Sequence, residues 1–349
     1  MDPRPGHPEV LALDPVRPDP EQLAALADRM AAGALVAFPT ETVYGLGARI
    51  DRSAALDRIF AAKGRPATDP LIVHVASIGE LDGIVARVTD RLTALAQAFW
   101  PGPLTVVLDR GPLIRDSITA GGATVAVRVP AHPVAAGLIR AVGTGVAAPS
   151  ANRFGRISPT RAADVLDELA DRLAPGDVVV DGGPTPLGIE STVVDLTGPR
   201  PTVLRHGGVS VEDLVEVLGT LDAPERRTVD EGSASPAPGG LLRHYAPATP
   251  LVLVDGDRQR VEELAVALGD RSVPARSLDL PADPAAAAAV LYRTLREADG
   301  TASVLLAAVV APEGVGRGVN DRLFRAAHGR VVTDSSPGTV DRLVALARA

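Results

Sequence analysis

The sequence predicts an α/β protein in two parts, a larger mixed domain followed by a smaller one built on a parallel sheet. Short apolar runs at 34–38, 71–75, 104–108 and 178–181 have the length of buried strands. Amphipathic helical stretches with capping residues are interspersed among them. From 251 onward strand and helix patterns alternate, the signature of βαβ units. A chain of 349 residues exceeds the usual single domain, so two are expected. The expected boundaries are 1–218 for the first domain, 219–247 for a linker and 248–349 for the second domain.

After a loose lead-in with a short strand at 10–13, Asp19-Pro20 offers an N-cap followed by proline at the first helical position. The helix runs to about Ala32, with Leu23, Leu26, Ala27 and Met30 inward, and Gly33 ends it. Strand 34–38 stops at Pro39, which cannot donate to a ladder, and Pro39-Thr40-Glu41-Thr42 reads as a turn. Ser53 is expected to cap helix 54–63, with Leu56, Ile59 and Phe60 inward. Strand 71–75 contains His74, and helix 89–99 is broken by Trp100-Pro101-Gly102-Pro103. In 123–129 Thr124, Ala126 and Arg128 share one face, opposite Val125, Val127 and Val129. Helix 133–142 leads to Gly145–Ala148 and the polar turn Pro149-Ser150-Ala151-Asn152. Ser158 is expected to cap helix 161–173. Strands at 192–195 and 203–205 follow, and Ser210 caps helix 211–218.

Residues 219–247 are rich in Pro, Gly, Ser and charge and read as a linker. It carries Arg243-His244-Tyr245-Ala246-Pro247, and an aromatic among cations suggests a segment docked on the first domain. In the second domain the expected elements are strand 251–254, helices 258–268 and 284–298, strand 303–310 and helix 318–328. Gly314-Val315-Gly316-Arg317-Gly318 resembles a phosphate loop but lacks the spacing of a known one.

Composition excludes several chemistries. There is no cysteine, so thiol nucleophiles, disulfides and Cys-ligated zinc are ruled out. The six histidines are scattered, with no HxxxH or HExxH spacing, and no transition-metal site is expected. Magnesium carried in by a nucleotide needs few protein ligands. A net charge of −8 argues against a free-standing nucleic-acid binder. MDPRPGHPEV has acid and proline where a signal peptide needs a basic then apolar run. With no apolar stretch near the ~18 residues of a membrane span, the expected location is the cytoplasm.

Lys63 is the only lysine among 35 basic residues. A compact ammonium beside Arg65 suits phosphate, the one as a point charge and the other as a planar fork. Four segments put polar residues where strands end: PTETVYG, VAVRVP, AAPSAN and GIESTV. Hydroxyls and loop amides there suit an amino acid or a ribose. No Ser-His-Asp or paired-carboxylate set stands out. The chemistry implied is positioning with charge stabilisation, as in phosphoryl or nucleotidyl transfer.

PTETVYGLG, KGRP with PLIVH, FWPGPLT, VAVRVP, PSAN with SPT, GIESTVVD and RHG occur in this order over about residues 20–218. In this they resemble the YrdC-like family. RHYAP and GRGVNDRLFRAA are similar to its longer, two-domain members, the threonylcarbamoyl-AMP synthases. The resemblance implies an α+β twisted-sheet catalytic domain. It implies synthesis of threonylcarbamoyl-AMP from L-threonine, bicarbonate and ATP, with pyrophosphate released. The product serves modification of the adenosine beside the tRNA anticodon, completed by a separate transferase, so tRNA is met only indirectly. By position, Lys63 and Arg65 match the catalytic cations. Asp69, Thr124, Ser150, Asn152, Ser158 and Arg205 join them in the ATP site, and Tyr245, with His244, closes over the nucleotide from the linker. Thr42, His74, Arg128, Ala148 and Ser191 match threonine contacts, Arg128 facing the carboxylate. An alternative carried by the same resemblance is a tRNA- or double-stranded-RNA-binding module without adenylate chemistry.

Overall fold

The computed structural model describes residues 7–224 and 244–348. In chain order the described elements are β1 (Glu9–Ala12), α1 (Pro20–Ala31), β2 (Val36–Pro39), β3 (Tyr44–Arg49), α2 (Ser53–Lys63), β4 (Ile72–His74), α3 (Asp90–Phe99), β5 (Leu104–Asp109), α4 (Asp116–Thr119), β6 (Thr124–Arg128), α5 (Pro133–Val142), β7 (Val146–Ala147), α6 (Ala162–Leu169), β8 (Val178–Asp181), β9 (Thr192–Asp195), β10 (Thr202–Arg205), α7 (Val211–Leu218), β11 (Leu251–Val254), α8 (Arg258–Gly269), β12 (Ala275–Ser277), α9 (Pro284–Ala298), β13 (Val304–Ala308), α10 (Gly316–Ala326), β14 (Val331–Val332) and α11 (Pro337–Arg348).

The first ten strands form one mixed sheet in the order β1-β8-β2-β3-β7-β4-β6-β5-β9-β10. The expected lead-in strand pairs parallel with β8. Both faces of the sheet are covered, which is why its strands read as near-continuous apolar runs. On one face Leu23, Leu26, Ala27 and Met30 of α1 pack with Val134, Leu138 and Ile139 of α5. On the other, Leu56 and Ile59 of α2, Leu92 and Leu95 of α3, and Val165 of α6 meet Tyr44, Leu46, Val106 and Val127. Asp19 caps α1 as expected, accepting from the Glu21 amide.

Several expectations are corrected. The expected turn after Pro39 is there, but it is the tip of a tight hairpin into β3, a strand antiparallel to β2 that was not expected. Glycine makes that strand hard to read, yet Gly47 is needed because a Cβ there would lie 2.6 Å from the Phe38 ring. Ser53 begins α2 itself; Arg52 holds the cap position, without a side-chain cap. Ser158 does not cap α6, which starts at Ala162 and ends at Leu169. There Asp164 folds back to accept from the amides of Thr160 and Arg161. Phe60 is only partly buried, while Ala62 and Lys63 of the same helix are buried.

The first part of the expected linker belongs to the sheet's edge. Val203 donates to the Asp222 carbonyl, and Leu221 and Ala223 pack on the core. Most of that linker lies outside the described residues. The described chain divides into two compact units, 7–154 with 158–224 and 155–157 with 244–348, so the second unit takes in Gly155–Ile157 and the described end of the expected linker, 244–247. In that unit Ala246 donates to the Gly155 carbonyl.

The second unit is built on a wholly parallel sheet, β12-β13-β11-β14. The strands of three and two residues, β12 and β14, and helix α11 are too short or too alanine- and arginine-rich to stand out in the sequence. Helix α10 starts at Gly316, two residues before the expected position. Gly316 has a packing reason: a Cβ there would lie 1.9 Å from the Ala311 carbonyl oxygen.

Candidate active site

Lys63 closes α2, and the left-handed Gly64 turns the chain away from it. The side chain is 2% exposed. Its Nζ donates to the carbonyls of Ser150 at 2.5 Å and Asn152 at 2.6 Å. The turn is tied back, since the Phe154 amide donates to the Lys63 carbonyl and Ala151 donates to that of Tyr44. Burial, and then the Arg65 charge, hold the Lys63 ammonium well below its ordinary pKa. The carboxylates of Asp69 and Glu168 oppose that fall, and a bound anion would oppose it further.

Arg65 is buried beside Asp69, 2.9 Å away, and donates to the Asp69 and Pro70 carbonyls. Burial raises the Asp69 pKa, while Arg65, Lys63 and Arg205 oppose that rise. Arg205 therefore stands within electrostatic reach of the same carboxylate. Its guanidinium donates to both the carbonyl and the hydroxyl of Ser191. Ser191 Oγ in turn lies 2.7 Å from Thr105 Oγ1. Ser158 donates to Glu190 at 2.5 Å, one residue from Ser191.

A second group gathers at the ends of β4 and β6, where His74 and Arg128 are register partners. Arg128 is 3% exposed. It donates to the Gly102 carbonyl and to Thr42 Oγ1, and its Nη2 lies 2.7 Å from Glu41 Oε1. Thr42 Oγ1 also meets Thr40 Oγ1 at 2.8 Å. His74 is buried, and burial followed by the Arg128 charge pushes its pKa down to about 3. The ring is therefore neutral, and its Nδ1 has no hydrogen-bond partner among the described residues. Ala148 donates to the Ile72 carbonyl in β4 and leads directly into the Ser150 turn. Through it the two groups are joined within the first unit.

The structure thus brings together Lys63, Arg65, Asp69, Ser150, Asn152, Arg205 and Ser191, and beside them Thr42, His74, Arg128 and Ala148. Thr124 lies at the opposite end of β6 from Arg128, roughly 13 Å away at ~3.3 Å per residue. Tyr245, expected to cover the nucleotide, belongs to the second unit. Its ring stacks on Tyr292 at 5.7 Å, meets His244 edge-on and has the Arg322 guanidinium 5.3 Å from its centroid. Sequence reasoning missed Glu41, Thr105 and Glu190. Each lies inside a quoted motif, and Glu41 and Glu190 stand beside the chosen Thr42 and Ser191, an adjacency that was the available signal. Among the described residues no group of three His, Asp or Glu side chains could hold a metal ion. No described helix is long and apolar enough to cross a membrane.

A mixed twisted sheet with a buried lysine held on a serine–asparagine turn, followed by a small parallel-sheet unit, defines a known class. The chain belongs to the Sua5/YciO/YrdC family: the model Sua5_yciO_yrdC, described as "Telomere recombination", matches residues 28–207. A second model, "Threonylcarbamoyl-AMP synthase, C-terminal domain", matches 209–328. The chain is 40% identical over 319 residues to the threonylcarbamoyl-AMP synthase of Pyrococcus abyssi, covering 86% of this chain and 92% of the relative. It is 38% identical over 330 residues to that of Bacillus subtilis, covering 89% and 94%. The crystal structure of P. abyssi Sua5 complexed with L-threonine superposes with a TM-score of 0.87 at 37% identity, covering 93% of this chain and 99% of that one.

Proposed function

We propose that this protein makes threonylcarbamoyl-AMP from L-threonine, bicarbonate and ATP, releasing pyrophosphate. The observation that carries the proposal is the Lys63 ammonium, buried on the Ser150 and Asn152 carbonyls and joined through Ala148 to the His74–Arg128 group. Two of the three Lys63 N–H groups are spent on carbonyls, leaving one for a phosphate oxygen. Arg65 and Arg205 add fixed positive charge within electrostatic reach of Asp69. Arg128 offers a fork to an amino-acid carboxylate, and Thr42, Ser191 and the unpaired His74 Nδ1 offer polar contacts for a small hydroxylated body.

In this reading the threonine amine takes up bicarbonate as an N-carboxylate with loss of water. A carboxylate oxygen then attacks the α-phosphorus of ATP, and pyrophosphate departs. Magnesium enters with ATP as part of that substrate. The protein's own contribution is to hold the two reactants together and to place preorganised positive charge where negative charge builds. No side chain is required to form a covalent intermediate. The adenylate would pass to a transferase acting on tRNA, so this chain need not hold tRNA itself, in keeping with its net charge of −8.

The test is incubation of the purified protein with Mg-ATP, bicarbonate and labelled L-threonine. A labelled adenylate, with pyrophosphate dependent on all three substrates, supports the proposal. Binding of tRNA or double-stranded RNA that is indifferent to Lys63→Ala, without adenylate formation, would replace it with the binding-module reading.

A further inference from the structure

We propose that Glu41 is the site's receptor for the amino acid's ammonium group, so that the Glu41–Arg128 pair reads the zwitterion as a unit. This rests on the reading of the site as a threonine seat. Glu41 is held from both ends. Its Oε2 accepts from the Ala131 amide at 3.0 Å, and its backbone carbonyl accepts from the Leu187 amide at 3.0 Å. The other carboxylate oxygen, Oε1, lies 2.7 Å from Arg128 Nη2. That contact is ionic only: its angle is not that of a hydrogen bond, and both atoms are buried with no hydrogen-bond partner among the described residues. Two opposite charges therefore face each other with unspent bonding capacity, and His74, the register partner of Arg128, has an Nδ1 that also lacks a hydrogen-bond partner among the described residues.

Buried polar atoms left in this state cost free energy that a ligand can recover. An α-amino acid carries its carboxylate and ammonium on neighbouring positions, the mirror of the cation and anion set side by side here. Its carboxylate would complete the Arg128 fork and its ammonium would donate to Glu41 Oε1, with the net charge of the buried group unchanged. A lone anion would satisfy Arg128 but would meet Glu41 as a like charge. Glu41 thereby selects for amino acids over hydroxy acids of the same shape. Once the nitrogen carries the added carboxylate, it retains one N–H that Glu41 can still accept.

The test compares two ligands on the full-length protein and on Glu41→Gln. L-threonine is measured by calorimetry, and (3R)-3-hydroxybutanoate, which lacks the amine, by NMR titration. The expected result is L-threonine weakened about 10- to 100-fold in Glu41→Gln, the range for losing one charged hydrogen-bond acceptor, with hydroxybutanoate unchanged or tightened and Glu41→Asp restoring part of the loss. If both ligands weaken alike, Glu41 merely holds Arg128 and the inference fails. If both tighten alike, Glu41 is only a placeholder for the carboxylate, and it fails again. Should hydroxybutanoate bind neither form detectably, restoration by Glu41→Asp decides, and no restoration overturns the inference. Failure of the unaltered protein to bind L-threonine would instead sink the synthase reading itself.

Discussion

The Lys63 ammonium lies 2.5 Å from the carbonyl oxygen of Ser150, 87 residues further along the chain. Helix α2 delivers the cation and the turn after β7 receives it, so neither segment makes the site alone. Carbonyl oxygens orient the ammonium without neutralising it, which leaves its charge available to a polyphosphate. Replacing Lys63 by Met keeps much of the apolar stem and removes the charge. Pyrophosphate release should fall by roughly 10²–10³, the usual loss for one preorganised electrostatic contact. Lys63→Arg should not restore it, because a planar fork does not fit a seat shaped by two converging carbonyls. Steady-state pyrophosphate assays check both outcomes.

Arg65 and Asp69 form a buried pair, each side chain 3% exposed. Taking away one member strands the other charge. Asp69→Ala should therefore destabilise the first unit by about 3–5 kcal/mol. Trp100 is the only tryptophan, and its Nε1 donates to the Leu104 carbonyl in the same unit. Urea unfolding followed by its fluorescence reads the effect. A midpoint equal to that of the unaltered protein would contradict it.

Arg128 donates to the Gly102 carbonyl and Thr42 Oγ1, and its Nη2 makes an ionic contact with the Glu41 carboxylate. Lysine cannot reproduce three diverging contacts. Arg128→Lys should raise the KM for L-threonine by about 100-fold, in the range for losing a buried charged contact, while the KM for ATP changes little. Varying each substrate in turn separates the two.

His74 gives a pH signature. Its pKa in the folded protein is about 3 against 6.5 when unfolded, burial being the main cause. Below pH 6.5 the unfolded chain binds a proton that the folded one refuses, so stability is lost as pH falls through this range. Between pH 7.5 and 5 the cost is about 2 kcal/mol from this residue. In His74→Gln that share of the acid sensitivity should vanish. Chemical denaturation of both proteins at the two pH values tests it, and identical pH slopes would refute it.

The sequence by itself determined the helices with strong caps and apolar stripes, such as α1 and α5, because local hydrogen bonding and periodicity decide them. It also determined the lone lysine, the order of the motifs and the absence of thiol chemistry. Tertiary structure decided what local pattern leaves open. A strand as rich in glycine as β3 exists only because β2 and β7 pair with it. Ser158 gave up a helix cap for Glu190, and Tyr245 found Tyr292. Only the folded sheet set Glu41 against Arg128, since a contact across 87 positions depends on strand order and register, which no window of sequence encodes.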